Sequence, residues 1–237
     1  MTKNFLFLLG TQKAGTTYTH LLLKDHPQFF DGGLKEMQFW KNFFLKEKLK
    51  KKIIENFRKV NKKGSNIRAN NLQINDFSNY FKRYSMRQKN KNIKCFADMT
   101  PANGTLTEEQ LLIAYKAIKN NGYKIKPIYL MRDPIERLWS QAKMNYFNKV
   151  IKKNIKNLDK SQLFDFFLNL SRRDYLRQNN MGRTRYDLII PKLEKVLNQE
   201  KIFYYFSEDM RGETFKFELF KFLEIDQFAS PSKENSG

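Results

Sequence analysis

Apolar residues run without interruption from Phe5 to Leu9, and the run stops at Gly10. A stretch with no polar face predicts a strand buried on both sides in a parallel sheet. Helical spacing takes over at Thr16 and carries Tyr18, Leu21, Leu22 and Leu23 as far as His26-Pro27, where the residue before proline is pushed away from helical geometry. Similar alternation recurs down the chain. Phe43, Phe44, Leu45, Leu49, Ile53, Ile54 and Phe57 predict a helix within the Lys-rich stretch 41–68. Ile74, Phe77, Tyr80, Phe81 and Tyr84 predict an amphipathic helix whose aromatic stripe belongs to the core. Cys95-Phe96-Ala97 predicts a short strand. Thr107, with Glu109 and Gln110 after it, predicts a helix start, and Gly122 its end. A strand over 126–131 follows, then a helix with Pro134 in its first turn. The polar stretch 145–160 predicts a mobile insertion or the start of a lid, with helical segments after it at 161–170 and 172–178. Leu188, Ile189, Leu193, Val196 and Leu197 trace a further helix, 201–206 a last strand and 213–223 a last helix. Strands alternating with helices predict an α/β fold in three layers, αβα, around a central parallel sheet.

The turn between the first strand and helix carries chemistry. Gly10 and Gly15 supply backbone freedom and let a ligand come close. Thr16 and Thr17 are candidate caps for the helix, whose first N–H groups point back into the loop and form a phosphate or sulfate cradle. The Gly10 to Gly15 spacing equals that of the nucleotide-binding P-loop, yet Thr16 stands where the P-loop lysine would follow the second glycine. The loop's lysine is Lys13. A cation inside the loop sits beside the 5′ end of a nucleotide and does not reach along a triphosphate.

Composition narrows the choices. The 237 residues suffice for one α/β domain, and no Pro/Gly/Ser-rich linker divides them, so 1–237 is read as one domain with a flexible tail from about 226. The single cysteine, Cys95, excludes an internal disulfide, and with only His20 and His26 a metal-centred mechanism is not expected. The N-terminal apolar run is too short for a signal peptide or membrane span, which predicts a soluble, cytoplasmic protein. A net charge of +21 invites nucleic acid, an anionic membrane or an acidic substrate; it is equally what heavy lysine use throughout the chain produces.

The stretch GTQKAGTT resembles the 5′-phosphosulfate-binding loop of sulfotransferases that use 3′-phosphoadenosine 5′-phosphosulfate (PAPS). A second, independent segment, Arg132-Asp133-Pro134-Ile135-Glu136-Arg137-Leu138-Trp139-Ser140, resembles that family's RDPxxRxxS, whose first Arg and Ser hold the donor's 3′-phosphate. Arg presents a planar set of donors suited to phosphate oxygens. Arg137 is expected to pair with Asp133 or Glu136. KEMQFW, residues 35–40, is similar to a family segment carrying the base that takes the acceptor's proton, which implies Glu36 in that role; its other reading is a loop carboxylate paired with Lys35. Asp98-Met99-Thr100-Pro101 looks like the family's D/E-x-TP segment, with Asp98 and Thr100 left open between structure and substrate contact. The basic stretch around Gly182, with Arg183 and Arg185, is similar to a loop that closes over the nucleotide, and solvated arginines are the alternative. Ser207-Glu208-Asp209-Met210 resembles the family's E-D-L segment, where Glu208 is read as structural.

The resemblance implies a PAPS-dependent sulfotransferase with a P-loop-like fold, closest in motif to carbohydrate-type and heparan-sulfate-like members. It implies Lys13 and Glu36 as catalytic residues, and a donor held by Lys13, Ala14, Gly15, Thr16, Thr17, Arg132, Ser140, Arg183 and Arg185. PAPS is the co-substrate, no metal enters the scheme, and the acceptor is a hydroxyl or amine, with a carbohydrate favoured by KEMQFW. The alternatives are a P-loop kinase or NTPase, a basic nucleic-acid-binding protein without catalysis, and a degenerate sulfotransferase fold that binds nucleotide only. No helix-turn-helix, zinc-finger or RNA-binding signature supports specific nucleic-acid binding.

Overall fold

The structure is a computed structural model, and it describes residues 2–48, 73–153, 161, 164, 165, 168, 169 and 182–228. The part of the Lys-rich helix beyond residue 48, the 172–178 helix and the end of the tail lie outside the described residues.

Five strands form one sheet in the order β2-β3-β1-β4-β5: β1 is Lys3–Leu8, β2 Phe29–Phe30, β3 Cys95–Asp98, β4 Tyr123–Met131 and β5 Phe203–Phe206. Every pairing is parallel. Helix α1 is Thr16–Leu23, α2 covers 39–48, α3 is Gln73–Gln88, α4 Glu108–Asn120, α5 Pro134–Lys153, α6 Tyr186–Val196 and α7 Glu213–Leu223. The polar stretch after Asn145, expected as an insertion, continues α5 to Lys153. Lysine is a good helix former, and Asn costs only a few tenths of a kcal/mol per residue, so polarity alone does not end a helix.

Strand β1 separates two cores. Phe5, Phe7 and Leu9 face one side, where Tyr80, Phe81 and Tyr84 of α3, Leu111 and Ile118 of α4 and Leu193 of α6 pack. Leu6 and Leu8 face the other, against Leu23 of α1 and Phe215, Leu219, Phe220 and Leu223 of α7. Each such side chain removed from water contributes about 1.5–3 kcal/mol, so a strand apolar on both faces holds both helical layers to the sheet. At its entrance, the buried Asn4 amide donates to the Leu223 carbonyl at 2.8 Å, tying β1 to the end of α7.

The helix start expected at Thr107 opens α4 with a capping box: Thr107 Oγ1 accepts from the Gln110 N–H at 3.3 Å, and Gln110 Oε1 accepts from the Thr107 N–H at 3.1 Å. Thr107→Ala is expected to cost about 1 kcal/mol, read as a lower denaturant midpoint at unchanged slope. At α5, Asp133 Oδ1 accepts from the Ile135 and Glu136 N–H groups, each at 2.9 Å. The chain stays pinned through Asp226, which meets Lys94 Nζ at 2.8 Å.

No helix among the described residues is long and apolar enough to cross a membrane. Strands β2 and β3 lie on one side of β1 and β4 and β5 on the other, so the direction of winding changes at β1. In open parallel sheets a ligand crevice forms at such a switch point, beyond the carboxyl ends of the strands.

Candidate functional site

Loops leave the carboxyl ends of all five strands, and the one after β1 is bound closely to β4. Past the end of β1, the Leu9 and Thr11 N–H groups donate to the Ile128 and Leu130 carbonyls at 2.8 and 2.7 Å. The Leu130 N–H donates to the Gly10 carbonyl at 2.8 Å. Thr11 Oγ1 reaches the Tyr129 hydroxyl at 3.0 Å. The loop then turns through two left-handed residues, Lys13 at φ 72° and Gly15 at φ 83°. The positive φ favours glycine at 15, and a Cβ there would also push the Met210 thioether beneath the loop aside. Lys13, which has a Cβ, adopts that conformation at a cost of about 1–3 kcal/mol, a strain characteristic of ligand-holding loops.

Capping of α1 differs from the expectation. Gly15 is the N-cap, and no side chain caps the helix. Thr16 is buried, while Thr17 Oγ1 accepts from Lys35 Nζ at 2.6 Å. With Gly15 at the cap position, both threonines fall inside the first turn, whose N–H groups are left without a side-chain cap and directed at the loop.

Lys35 belongs to the segment carrying Glu36, and several contacts fix that segment. His20 Nε2 lies 2.8 Å from Asp31 Oδ2, and the Gly33 N–H donates to Asp31 Oδ1 at 2.9 Å; the hydrogen bond from His20 holds the Asp31 carboxyl below its usual pKa. The Gln38 N–H donates to Thr100 Oγ1 at 3.2 Å. Phe39 and Trp40 anchor the segment in the core, with the Phe39 ring stacked 4.4 Å from Tyr80. Glu36 is left on the crevice side with Lys35 Nζ at 3.7 Å and Gln38 Nε2 at 3.0 Å. The Lys35 to Glu36 pair raised by the sequence is therefore present, and the same lysine links it to α1.

Asp98 and Thr100 resolve toward structure. Asp98 is fully buried, accepts from the Tyr80 hydroxyl at 2.9 Å and the Thr100 N–H at 3.1 Å, and has its pKa raised by burial. Its place beneath the crevice keeps the β3 loop in shape for Thr100 to hold the Glu36 segment.

At the end of β4, an Arg132 guanidinium nitrogen lies 3.4 Å from the Lys13 carbonyl, so the two predicted anion-binding segments touch. Arg132 also reaches Glu136 at 3.2 Å. Arg137 departs from its expected pairing: it is fully buried under the first loop, 3.5 Å from the Gln12 carbonyl, while Glu136 takes Arg132 and Asp133 caps the helix. The reason is geometric, since position 137 lies on the face of α5 turned toward the sheet. Ser140 is partly exposed on α5 and makes no hydrogen bond to Arg132. Arg183 bonds Gln12 Oε1 and lies within electrostatic reach of Glu36; burial lowers its pKa and Glu36 partly restores it. Arg185 instead grips Asp187 at 2.6 Å on the surface. The Asp133 N–H donates to Glu208 Oε1 at 3.0 Å, the structural role expected of Glu208.

Lys13 thus stands among cations. Burial, followed by Arg132, Lys143 and Lys35, pulls its pKa below that of an ordinary lysine. Like charges gathered at a helix N-terminus are poised for a ligand with several negative charges. Gln12, Lys35, Lys143 and Tyr186 were not singled out in the sequence as members of this group. Gln12 and Lys35 at least stand inside quoted motifs, whereas Lys143 carries no local signal. No group of three or more His, Cys, Asp or Glu able to hold a metal occurs among the described residues. No protein-family model matches the chain, and no curated protein is significantly similar to it.

Proposed function

We propose that the protein is a sulfotransferase that moves the sulfuryl group of PAPS to a hydroxyl or amine, with a carbohydrate as the favoured acceptor. The observation that carries this reading is the meeting of three segments distant in sequence: Arg132 lies 3.4 Å from the Lys13 carbonyl, and Lys35 bridges Thr17 of α1 and Glu36 at 2.6 and 3.7 Å. One anion cradle, one second phosphate-binding cation and one carboxylate then line a single crevice.

In the proposed reaction the acceptor's oxygen or nitrogen attacks sulfur as the bond from sulfur to the bridging oxygen of the 5′-phosphate breaks. Glu36 takes the acceptor's proton. The electron pair of the broken bond goes to the departing 5′-phosphate, where Lys13, the loop N–H groups, Thr16 and Thr17 stabilise the charge. Arg132 and Ser140 hold the 3′-phosphate, so binding energy remote from the reacting bond orients the sulfuryl group in line. Arg183 closes the crevice from the α6 side. Little covalent work falls to the protein, as in phosphoryl transfer.

Calorimetric titration with 3′-phosphoadenosine 5′-phosphate, with 5′-AMP and Mg-ATP as controls, tests the donor site. Binding is expected to be tight, to depend on the 3′-phosphate, and to weaken about 30-fold or more in Arg132→Ala. A preference for Mg-ATP would replace the proposal with a kinase or NTPase.

A further inference from the structure

Strand β4 pairs with β5 as far as Met131 opposite Phe206, and Arg132 follows immediately. Peptide groups beyond a ladder need other partners or they fluctuate with solvent. At Arg132 both are supplied by one side chain. The Tyr186 hydroxyl donates to the Arg132 carbonyl at 2.8 Å and accepts from the Arg132 N–H at 3.2 Å. The next N–H, that of Asp133, is held by Glu208. Tyr186 itself is braced edge-on by Tyr129, with ring centroids 6.1 Å apart at 82°, and Tyr129 is the residue that receives Thr11 from the first loop.

Tyr186 opens α6, and the same short stretch makes two further tethers. Arg183 reaches Gln12 in the first loop, and Lys192 Nζ donates to the Gly104 and Leu106 carbonyls at 2.8 Å each, beyond β3. Residues 183–192 thus strap the loops after β1, β3 and β4 to one another.

We propose that Tyr186 is a positioning residue for Arg132: by clamping the peptide groups on both sides of that residue, its hydroxyl fixes where the guanidinium stands relative to the Lys13 loop, and so sets the enzyme's preference for a nucleotide carrying a second phosphate. The purpose of the clamp rests on the donor site proposed above; the clamp itself does not. Burial raises the Tyr186 pKa, so the hydroxyl stays protonated and able to donate at any ordinary pH. A phenylalanine would keep the ring and its contact with Tyr129 while removing both hydrogen bonds.

Two measurements on Tyr186→Phe separate clamp from purpose. Amide hydrogen exchange at Arg132, followed by NMR without nucleotide, is expected to accelerate about tenfold; unchanged exchange would overturn the clamp. Calorimetry is expected to show affinity for 3′-phosphoadenosine 5′-phosphate falling about tenfold while 5′-AMP binding is unchanged, and the double variant with Arg132→Ala is expected to lose no more than Arg132→Ala alone. Equal losses for both nucleotides, or additive losses in the double variant, would overturn the positioning role. Lys192→Met, which cuts the strap away from Arg132, is expected to lower thermal stability without changing nucleotide preference; a matching change in preference would assign the effect to the strap as a whole and overturn the specific role of Tyr186. Indifference of the native protein to the 3′-phosphate, together with accelerated exchange in Tyr186→Phe, would leave the clamp standing and remove the donor site and the positioning role built on it.

Discussion

Lys13→Ala is expected to lower the proposed sulfuryl transfer by about 100-fold or more, because in that reaction the charge developing on the leaving 5′-phosphate would lose the loop's own cation. The loss should fall on turnover more than on donor affinity, since Arg132 and the loop N–H groups remain to bind the nucleotide. Turnover within a few-fold of the native protein would take Lys13 out of the mechanism. The same variant should be more stable than the native protein without nucleotide at neutral pH. Burial and the neighbouring Arg132, Lys143 and Lys35 hold the Lys13 pKa below 10.5, so folding disfavours its charged form. That penalty is fully present below the lowered folded pKa and is relieved as pH rises toward the unfolded value. A phosphate-bearing ligand reverses the balance by supplying opposite charge. A rise in melting temperature without nucleotide, and a smaller ligand-induced rise than the native protein shows, are the paired signatures, read by differential scanning calorimetry.

Gly104→Ala is expected to cost about 3 kcal/mol, at the upper end for inserting a single methyl into packed structure. Gly104 lies in the tight turn Pro101–Thr105 after β3, and a Cβ there would overlap the Leu9 carbonyl. The obstacle is backbone on one side, and the Gly104 carbonyl is held by Lys192 on the other. The Leu9 backbone cannot turn aside as a flexible side chain would, so the end of β1 has to move. A denaturant midpoint close to the native one would mean that the turn shifts freely. The displacement should also reach the site, because Leu9 leads directly into the Lys13 loop.

What could be read in advance follows from how far each determinant reaches along the chain. Strand β1, the helix start at Thr107, the proline start of α5 and the aromatic face of α3 are encoded by residues within a few positions of one another, and the sequence predicts each of them. Arg137 is different. Its expected partners were the adjacent acids, but burial on the sheet-facing side of α5 brings it to Gln12, far away in sequence. Thr16 and Thr17 have the chemistry of capping residues, yet Gly15 takes the cap position while Lys35 engages Thr17. Arg183 and Arg185 are indistinguishable by type and spacing; one turns to Gln12 and the other to Asp187. The motif residues therefore come together at the carboxyl ends of the strands, and the non-local contacts decide where each charged side chain turns.

The absence of any polar side on β1 leaves its alignment with the neighbouring strands unspecified by greasiness. Slid by one residue, the strand would exchange Phe5, Phe7 and Leu9 for Leu6 and Leu8 and still bury hydrocarbon in both cores, so the usual penalty for a misaligned strand is missing. Asn4 supplies it. In the correct alignment its amide meets the Leu223 carbonyl; one step away, Phe5 or Lys3 would stand in its place and the Asn4 amide would be stranded. A single polar side chain at the strand's entrance thus acts as a proofreading mark for the whole sheet, and it decides whether the loop that begins six residues later opens where its partners can meet it.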